Sequence, residues 1–234
     1  MNTPLSLKAN HFTAMVSEKE YRILIVDDHP IFCLGMSELI NKEKDLTVCG
    51  SEESAPKALK AIAQLKPDLV IVDISLKDSD GIDLVKEISI RHEQLPILVL
   101  SMYDESLYAE RALLAGARGY IMKQEATTLV VQALRKVLAG EIYASANVKE
   151  KAFQRLVDQH ASFKKSPIDV LTDRELEVFR LIGEGLSTRE IAERLHLSVK
   201  TIGTYRENIK DKLGLKHNTQ LIKMAVFWSQ ESQK

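Results

Sequence analysis

The chain has 234 residues, of which 45% are hydrophobic and 28% are charged. This composition can build packed cores, so an intrinsically disordered chain is excluded, and the length is sufficient for two domains of ordinary size. The formal net charge is −1, so nucleic-acid binding would require a local basic patch. The sequence has no apolar window of the ~18 residues that cross a membrane, and residues 1–20 lack the apolar core of a signal peptide. We therefore expect a cytoplasmic protein with no membrane partner.

The two cysteines, Cys33 and Cys49, each lie inside an apolar segment. The sequence contains no CxxC pair and no Cys/His cluster with metal-binding spacing. Both residues are therefore expected to be small buried side chains in a reducing compartment.

Between residues 22 and 140, short apolar runs alternate with segments of helical periodicity. Five runs are typical of buried strands: RILIV (22–26), LTVC (46–49), LVIV (69–72), PILVL (96–100) and GYIM (119–122). A helical segment between the first two runs has apolar residues at Ile31, Leu34, Met36, Leu39 and Ile40. Alternating strands and helices predict a parallel sheet covered on both faces. Five strands at this length predict a flavodoxin-like, doubly wound α/β fold with strand order 2-1-3-4-5.

After Gly140 the pattern changes. Residues 144–166 contain an amphipathic stretch followed by a polar run, with its apolar positions at Val148, Phe153, Leu156 and Val157. This stretch is expected to be a linker with its own helix. From Pro167 onward the apolar spacing is helical, which predicts a small all-α domain. The expected organisation is a flexible tail at 1–20, a first domain at 21–140, a linker at 141–166 and a second domain at 167–234.

Polar residues follow the predicted strands at the ends where a parallel sheet binds ligands. They are Asp27 and Asp28 after the first strand, Asp73 after the third, Ser101 at the end of the fourth and Lys123 after the fifth. Clustered carboxylates repel one another unless a cation joins them, and hard oxygen ligands suit Mg²⁺. The lysine suits a phosphoryl oxygen, and Asp73 could act as a nucleophile that accepts a phosphoryl group. A solvated strand end would explain one aspartate, but not five such residues at the proper ends.

Four motifs in this half, ILIVDDHP, LVIVDISL with its following DG, LVLSMYD and GARGYIMK, resemble the receiver domain of two-component response regulators. The resemblance covers residues 22–140, and ALRKVLAGEIY resembles the last receiver helix of the subgroup with a LuxR-type helix-turn-helix. It implies that a partner histidine kinase phosphorylates Asp73. It also implies that Asp28, Asp73 and the backbone carbonyl of Ser75 hold Mg²⁺, with Asp27 contributing through water.

The same resemblance assigns three switch residues. It implies that Ser101 bonds the phosphoryl oxygen and that Lys123 pairs with it, while Tyr120 is an aromatic side chain that rotates on activation. A surface-packed tyrosine fits the spacing of Tyr120 equally well.

The second half contains three helix-start signals. Thr172 and Glu175 are predicted to form a capping box, Ser187 and Thr188 to cap a second helix, and Ser198 to cap a third. Two helices joined by the short connection at His196 predict a helix-turn-helix. The third helix has a net charge of +2, from Lys200, Arg206, Lys210 and Lys212 against Glu207 and Asp211. A solvated charged face would also explain that excess.

Residues 171–215 resemble the LuxR/FixJ-type DNA-binding domain, and the likeness extends over about residues 167–230. It implies that Val199–Leu213 is a recognition helix in the major groove. It also implies that a final helix, Thr219–Trp228, supports a homodimer, although Phe227 and Trp228 could equally be core. The candidate DNA contacts are Lys200, Thr201, Gly203, Thr204, Tyr205, Arg206, Glu207 and Lys210. Gly203 and Glu207 stand where relatives often have basic residues, which leaves open the base sequence that is recognised.

These features predict a response regulator of the NarL/FixJ family whose DNA binding and dimerisation depend on phosphorylation, with RNA polymerase as a further candidate partner. Turnover of a free substrate is not expected. A haloacid-dehalogenase-type phosphatase would need an acid two residues after its nucleophile, and that position is Ser75. A receiver that works without phosphate is a second alternative, but Asp28, Asp73 and Lys123 are all present. Whether phosphorylation unmasks the recognition helix or promotes dimerisation stays open.

Overall fold

The computed structural model describes residues 19–76, 80–102, 105–146, 148–150 and 167–232. The first half forms a five-stranded parallel sheet of order β2-β1-β3-β4-β5. The strands are β1 (Tyr21–Val26), β2 (Leu46–Glu52), β3 (Leu69–Asp73), β4 (Ile97–Ser101) and β5 (Gly119–Met122). The predicted flavodoxin-like order is confirmed.

Helices cover both faces of this sheet: α1 (Pro30–Ile40), α2 (Ala55–Leu65), α3 (Gly81–Arg91), α4 (Glu105–Leu114) and α5 (Ala126–Leu138). Side chains of α1 and α5 pack into one hydrophobic cluster, and those of α2, α3 and α4 into another. The central strands β3 and β4 are buried at every residue. Their continuous apolar runs are thereby explained, because both faces of the sheet are covered.

Helix α1 and strand β2 differ in detail from what the apolar pattern predicts. In α1 the buried side is formed by Cys33, Met36 and Ile40, whereas Ile31 and Leu34 are 88% and 66% exposed. Strand β2 continues past its apolar run to Glu52. It lies at the edge of the sheet, where polar residues can remain solvated.

The second half is helical, with a 3₁₀ turn (Pro167–Val170) and helices α6 (Asp173–Gly183), α7 (Thr188–Arg194), α8 (Val199–Leu213) and α9 (Asn218–Ser232). The capping box of Thr172 and Glu175 is confirmed, and Ser187 forms a second box with Glu190. Thr188 is the first helical residue of α7, so Ser187 alone is its cap. The hydroxyl of Ser198 caps α8 by accepting from the backbone N–H of Thr201 at 3.0 Å.

The linker is described in part. Val148 is buried and residues 148–150 are helical, while Phe153, Leu156 and Val157 lie outside the described residues. Of the predicted N-terminal tail, residues 19 and 20 are described. Within the described ranges, we find no helix that is both long and apolar enough to span a bilayer.

Candidate functional site

The carboxyl ends of the strands bring the predicted polar residues to one edge of the sheet. Asp73 pairs in register with Leu100, next to Ser101, and Asp27 follows directly after β1. The start of α3 lies directly against the end of β3, so that a Cβ atom on Gly81 would lie 2.4 Å from the carbonyl oxygen of Asp73. Glycine is therefore required at position 81 by the close approach of the backbone.

The Lys123 ammonium contacts two of the three predicted carboxylates, those of Asp27 and Asp73. Its Nζ lies 2.6 Å from Asp27 Oδ2 and 2.8 Å from Asp73 Oδ2, and its side chain is 5% exposed. The ammonium also lies 4.5 Å from the ring centroid of Phe32, a cation–π contact that was not predicted from sequence.

Burial and neighbouring charges together set the pKa values of Asp73 and Lys123. Burial raises the pKa of the Asp73 carboxyl and Asp27 raises it further, while the Lys123 ammonium lowers it and the net direction is upward. Burial alone would lower the pKa of Lys123, but the carboxylates of Asp73 and Asp27 outweigh burial and raise it. The lysine is thus held charged against a buried carboxyl, as a phosphate-binding cation must be.

The carboxylates suit a divalent cation. Ligand atoms of Asp27, Asp28, His29 and Asp73 all lie within 4.8 Å of one another. The Asp28 carboxyl is 6% exposed, and within the described ranges its Oδ1 is buried without a hydrogen bond of good geometry. Such a donor set of hard, partly unsatisfied oxygens fits Mg²⁺.

His29 was missed by the sequence analysis. Its Nδ1 lies 3.0 Å from Asp27 Oδ1 and 3.1 Å from Asp28 Oδ1, although 59% of its side chain is exposed. Its position directly after the two aspartates was the one signal that could have identified it.

The two remaining switch candidates lie in the interior. Ser101 is fully buried at the end of β4, and Tyr120 is 2% exposed on β5. The alternative of a surface-packed Tyr120 is therefore wrong, because the side chain lies in the hydrophobic core. Whether it rotates stays a prediction.

The first turn of α6 packs against this edge of the sheet. The Arg174 guanidinium donates to the carbonyl oxygen of Ser75 at 2.7 Å, and the Asp173 N–H donates to Asp80 Oδ2 at 3.1 Å. On α4, Arg111 Nε lies 3.1 Å from Asp173 Oδ1, and the Tyr108 hydroxyl donates to Glu177 Oε2 at 3.2 Å. No sequence signal joins these residues, since each pair is more than sixty positions apart.

One carboxyl in this contact is strongly perturbed. Asp173 is 1% exposed, and burial, reinforced by the nearby Asp80, raises its pKa to about 8 despite the opposing effects of Arg111 and Lys86. The contact between the two halves therefore contains a buried carboxyl whose pKa lies well above that of a solvated aspartate.

The face of α8 that carries the predicted DNA contacts is open to solvent. Val199, Lys200, Thr204 and Glu207 are exposed. The hydrogen bonds and ion pairs described between the halves involve α6 and the turn before it. This arrangement gives no support to steric masking of the recognition helix.

The other predicted DNA contacts differ in exposure. Thr201, Gly203, Tyr205, Arg206 and Lys210 are half-buried. A Cβ on Gly203 would meet no atom within 4 Å, so the protein's own packing does not require glycine there. Burial lowers the pKa of Arg206.

Glu207 is ion-paired in this structure. Lys210 Nζ lies 2.8 Å from Glu207 Oε2, an ion pair that is compatible with a solvated charged face. The Glu207 side chain is 64% exposed, so the pair contributes little to stability and could exchange for a contact with DNA.

Two family models match the chain. Residues 23–135 match the response regulator receiver domain, and residues 169–225 match the bacterial regulatory proteins of the luxR family. The fold and the residues at the sheet edge thus define a response regulator with a LuxR-type output domain.

Full-length relatives lead to the same conclusion. The oxygen regulatory protein NreC of Staphylococcus epidermidis is 31% identical over 210 residues, which cover 88% of this chain and 96% of the relative. NreC of Staphylococcus aureus is likewise 31% identical, over 209 residues. The chain belongs to the two-component response regulators of the LuxR family, which are DNA-binding regulatory proteins.

Solved structures of this family have a similar fold. RcsB of Salmonella enterica serovar Typhimurium, bound to promoter rprA with the phosphomimetic BeF3⁻, is 27% identical with a TM-score of 0.53, covering 88% of this chain and 98% of that one. A LuxR-family two-component response regulator from Aurantimonas sp. is 30% identical with a TM-score of 0.53, covering 59% of this chain and 99% of that one. A further structure, of two RcsB dimers bound to two parallel DNAs, is 26% identical with a TM-score of 0.52 and covers 92% of this chain and 100% of that one.

Proposed function

We propose that Asp73 is the phosphoacceptor of this response regulator and that its phosphorylation by a partner histidine kinase controls dimerisation, DNA binding and transcription. The observation that carries the proposal is the contact of Lys123 Nζ with Asp73 Oδ2 at 2.8 Å. The contact is buried among the acidic residues at the carboxyl ends of the strands. In the reaction, a carboxylate oxygen of Asp73 attacks phosphorus, the bond from phosphorus to the kinase histidine breaks, and an acyl phosphate forms. Lys123 and the Ser101 hydroxyl then bind the transferred phosphoryl oxygens.

Mg²⁺ is the cofactor of this proposal. Asp28, Asp73 and the Ser75 carbonyl would hold it, with Asp27 contributing through water, and the ion supplies positive charge at the phosphoryl oxygens. The close spacing of the carboxylate atoms supports the assignment. The protein itself orients Asp73, because the Ser75 N–H donates to Asp73 Oδ1 at 2.9 Å and leaves Oδ2 to Lys123.

The output domain, which we place at residues 167–234, is proposed to bind two-fold DNA sites as a homodimer. The exposed face of α8 supports this role, as do the RcsB structures with promoter DNA. In α9, Trp228 packs against Phe179 with ring centroids 5.8 Å apart, whereas Phe227 is 62% exposed. We therefore assign Trp228 to the core and Phe227 to the candidate dimer surface.

The domain bounds, the location and the remaining partner complete the proposal. We place the receiver at residues 21–140 and the linker at 141–166, and we expect a cytoplasmic location because the protein acts on DNA. Contact with RNA polymerase remains a candidate step. Free-substrate turnover is not part of the proposal, since Ser75 provides no general acid for a phosphatase.

Intact mass measurement tests the phosphoacceptor. Incubation with a small acyl phosphate and Mg²⁺ should add about 80 Da, one phosphoryl group, to the wild type and nothing to Asp73→Asn. Asp83→Asn, on the exposed side of α3, is the matched control and should label like the wild type. Labelling of Asp73→Asn, or labelling that persists after chelation of the metal, would contradict the assignment.

A further inference from the structure

The Ser75 carbonyl has two prospective partners. In the proposed function it is a ligand of Mg²⁺, and in the structure it accepts the Arg174 guanidinium of the output half at 2.7 Å. We infer that Arg174 and the divalent cation compete for this oxygen, so that loading the metal site weakens the packing of α6 on the receiver. The inference rests on the proposed function, because it concerns the same metal site.

Electrostatics makes simultaneous binding unfavourable. Bonds from Mg²⁺ to oxygen are about 2.1 Å long, so a metal ion and the guanidinium on one carbonyl would lie less than about 5 Å apart. At that separation two cations repel strongly in a partly buried site. Without the metal, the guanidinium instead brings positive charge next to a cluster in which three carboxylates outnumber the Lys123 ammonium.

The neighbouring contacts tie Arg174 to the position of the whole output half. The adjacent residue, Asp173, donates its N–H to Asp80, and its carboxyl lies 3.1 Å from Arg111 Nε. One turn further along α6, Glu177 accepts from Tyr108. Displacing the guanidinium therefore removes one of the polar contacts described between α6 and the receiver.

Because of thermodynamic linkage, the competition can be measured either as a change in Mg²⁺ affinity or as a change in the packing of α6. If metal binding weakens the packing, the packing must weaken metal binding by the same factor. Removing Arg174 should therefore raise the affinity for Mg²⁺, even though a cationic side chain and not a ligand has been lost.

Calorimetric titration of the full chain with MgCl₂ is the test. Arg174→Ala should bind Mg²⁺ about fivefold tighter than the wild type or more, and Arg174→Lys, which retains the charge, should lie closer to the wild type. Arg91→Ala is the control, because Arg91 is 61% exposed and pairs with Glu87 on α3. In the wild type itself, Mg²⁺ should accelerate hydrogen exchange at the Asp173 amide, a readout that needs no variant.

The outcomes separate this inference from the proposed function. Equal Mg²⁺ affinity in the wild type and Arg174→Ala, with unchanged exchange at Asp173, would overturn the inference while leaving the metal site in place. Absence of Mg²⁺ binding in both proteins would overturn the inference together with the assigned metal site.

Discussion

Asp80 accepts a hydrogen bond from the backbone N–H of Asp173 at 3.1 Å, across ninety-three positions of the chain. Its other oxygen caps α3 by accepting from the N–H of Ile82 at 2.9 Å. One carboxylate therefore fixes the first turn of a receiver helix and the first turn of an output helix, a few residues beyond the phosphoacceptor candidate.

Asp80→Ala should weaken both helix starts. Loss of the α3 cap should lower the free energy of unfolding by about 1 kcal/mol, and hydrogen exchange at the Asp173 amide should accelerate. Thermal unfolding and exchange mass spectrometry measure the two effects. Asp83→Ala, which removes an exposed partner of Lys86 on the same helix, should cost a few tenths of a kcal/mol and leave exchange at Asp173 unchanged. Equal effects of the two variants would contradict a bridging role for Asp80.

The contact between the halves should depend on pH through Asp173. Its pKa is about 8 when α6 is packed, against 3.8 for the solvated group. The packed state thus binds one proton more between these values, so packing is favoured at low pH and weakens as pH rises from about 4 to about 8. Within that window the packing equilibrium should fall by up to about tenfold per pH unit.

Hydrogen exchange of α6 between pH 6 and pH 8, corrected for the intrinsic rate, measures this dependence. Asp173→Asn removes the titrating group and should give exchange protection that is nearly constant with pH. The other charged groups facing Asp173 are Asp80, Arg111 and Lys86. An unchanged slope in Asp173→Asn would contradict a role of Asp173 in the pH dependence.

Two glycine variants should have opposite effects on stability. Gly81→Ala would force a Cβ against the Asp73 carbonyl at 2.4 Å, so it should lower the free energy of unfolding by about 1–3 kcal/mol and impair phosphoryl uptake. Gly203→Ala meets no atom within 4 Å and should stabilise α8 by up to about 1 kcal/mol.

Gly203→Ala also tests close approach to DNA. If the bare backbone at this position contacts the DNA, the variant should bind DNA more weakly even though it unfolds at a higher temperature. Unchanged or tighter binding would show that glycine at 203 has no role in the DNA complex.

The carboxyl edge of the sheet could be predicted from sequence because β3 and β4 are continuous apolar runs that each end in a polar candidate site residue. The carboxyl ends of parallel strands lie on the same side of a sheet, so the residues that end β3 and β4, Asp73 and Ser101, are expected next to each other. The contact of Arg174 with Ser75 could not be predicted, since it depends on how two separately patterned halves pack. The exposed Ile31 and Leu34 show a related limit: apolar spacing indicates a helix, but not which of its apolar residues are buried.

Lys200 and Glu207 should contribute differently to DNA binding. Lys200→Ala should weaken binding to all sequences alike and reduce the slope of log affinity against log salt by about one unit.

Glu207→Ala removes a negative charge and frees Lys210 from its ion pair, so non-specific affinity should hold or rise. If Glu207 accepts from a cytosine amino group, the variant should also lose about 1–3 kcal/mol of preference at one base pair. Selection on randomised DNA decides this point, and identical base preferences would mean that Glu207 recognises no base.

DNA affinity before and after phosphorylation tests the central claim most directly. The full chain, treated with a small acyl phosphate and Mg²⁺, should bind its selected DNA site about 5- to 150-fold tighter than the untreated chain, the range of a coupling free energy of about 1–3 kcal/mol. Asp73→Asn should bind equally with and without the treatment. The same affinity for phosphorylated and unphosphorylated wild type, with phosphorylation verified by mass, would contradict control of DNA binding by Asp73.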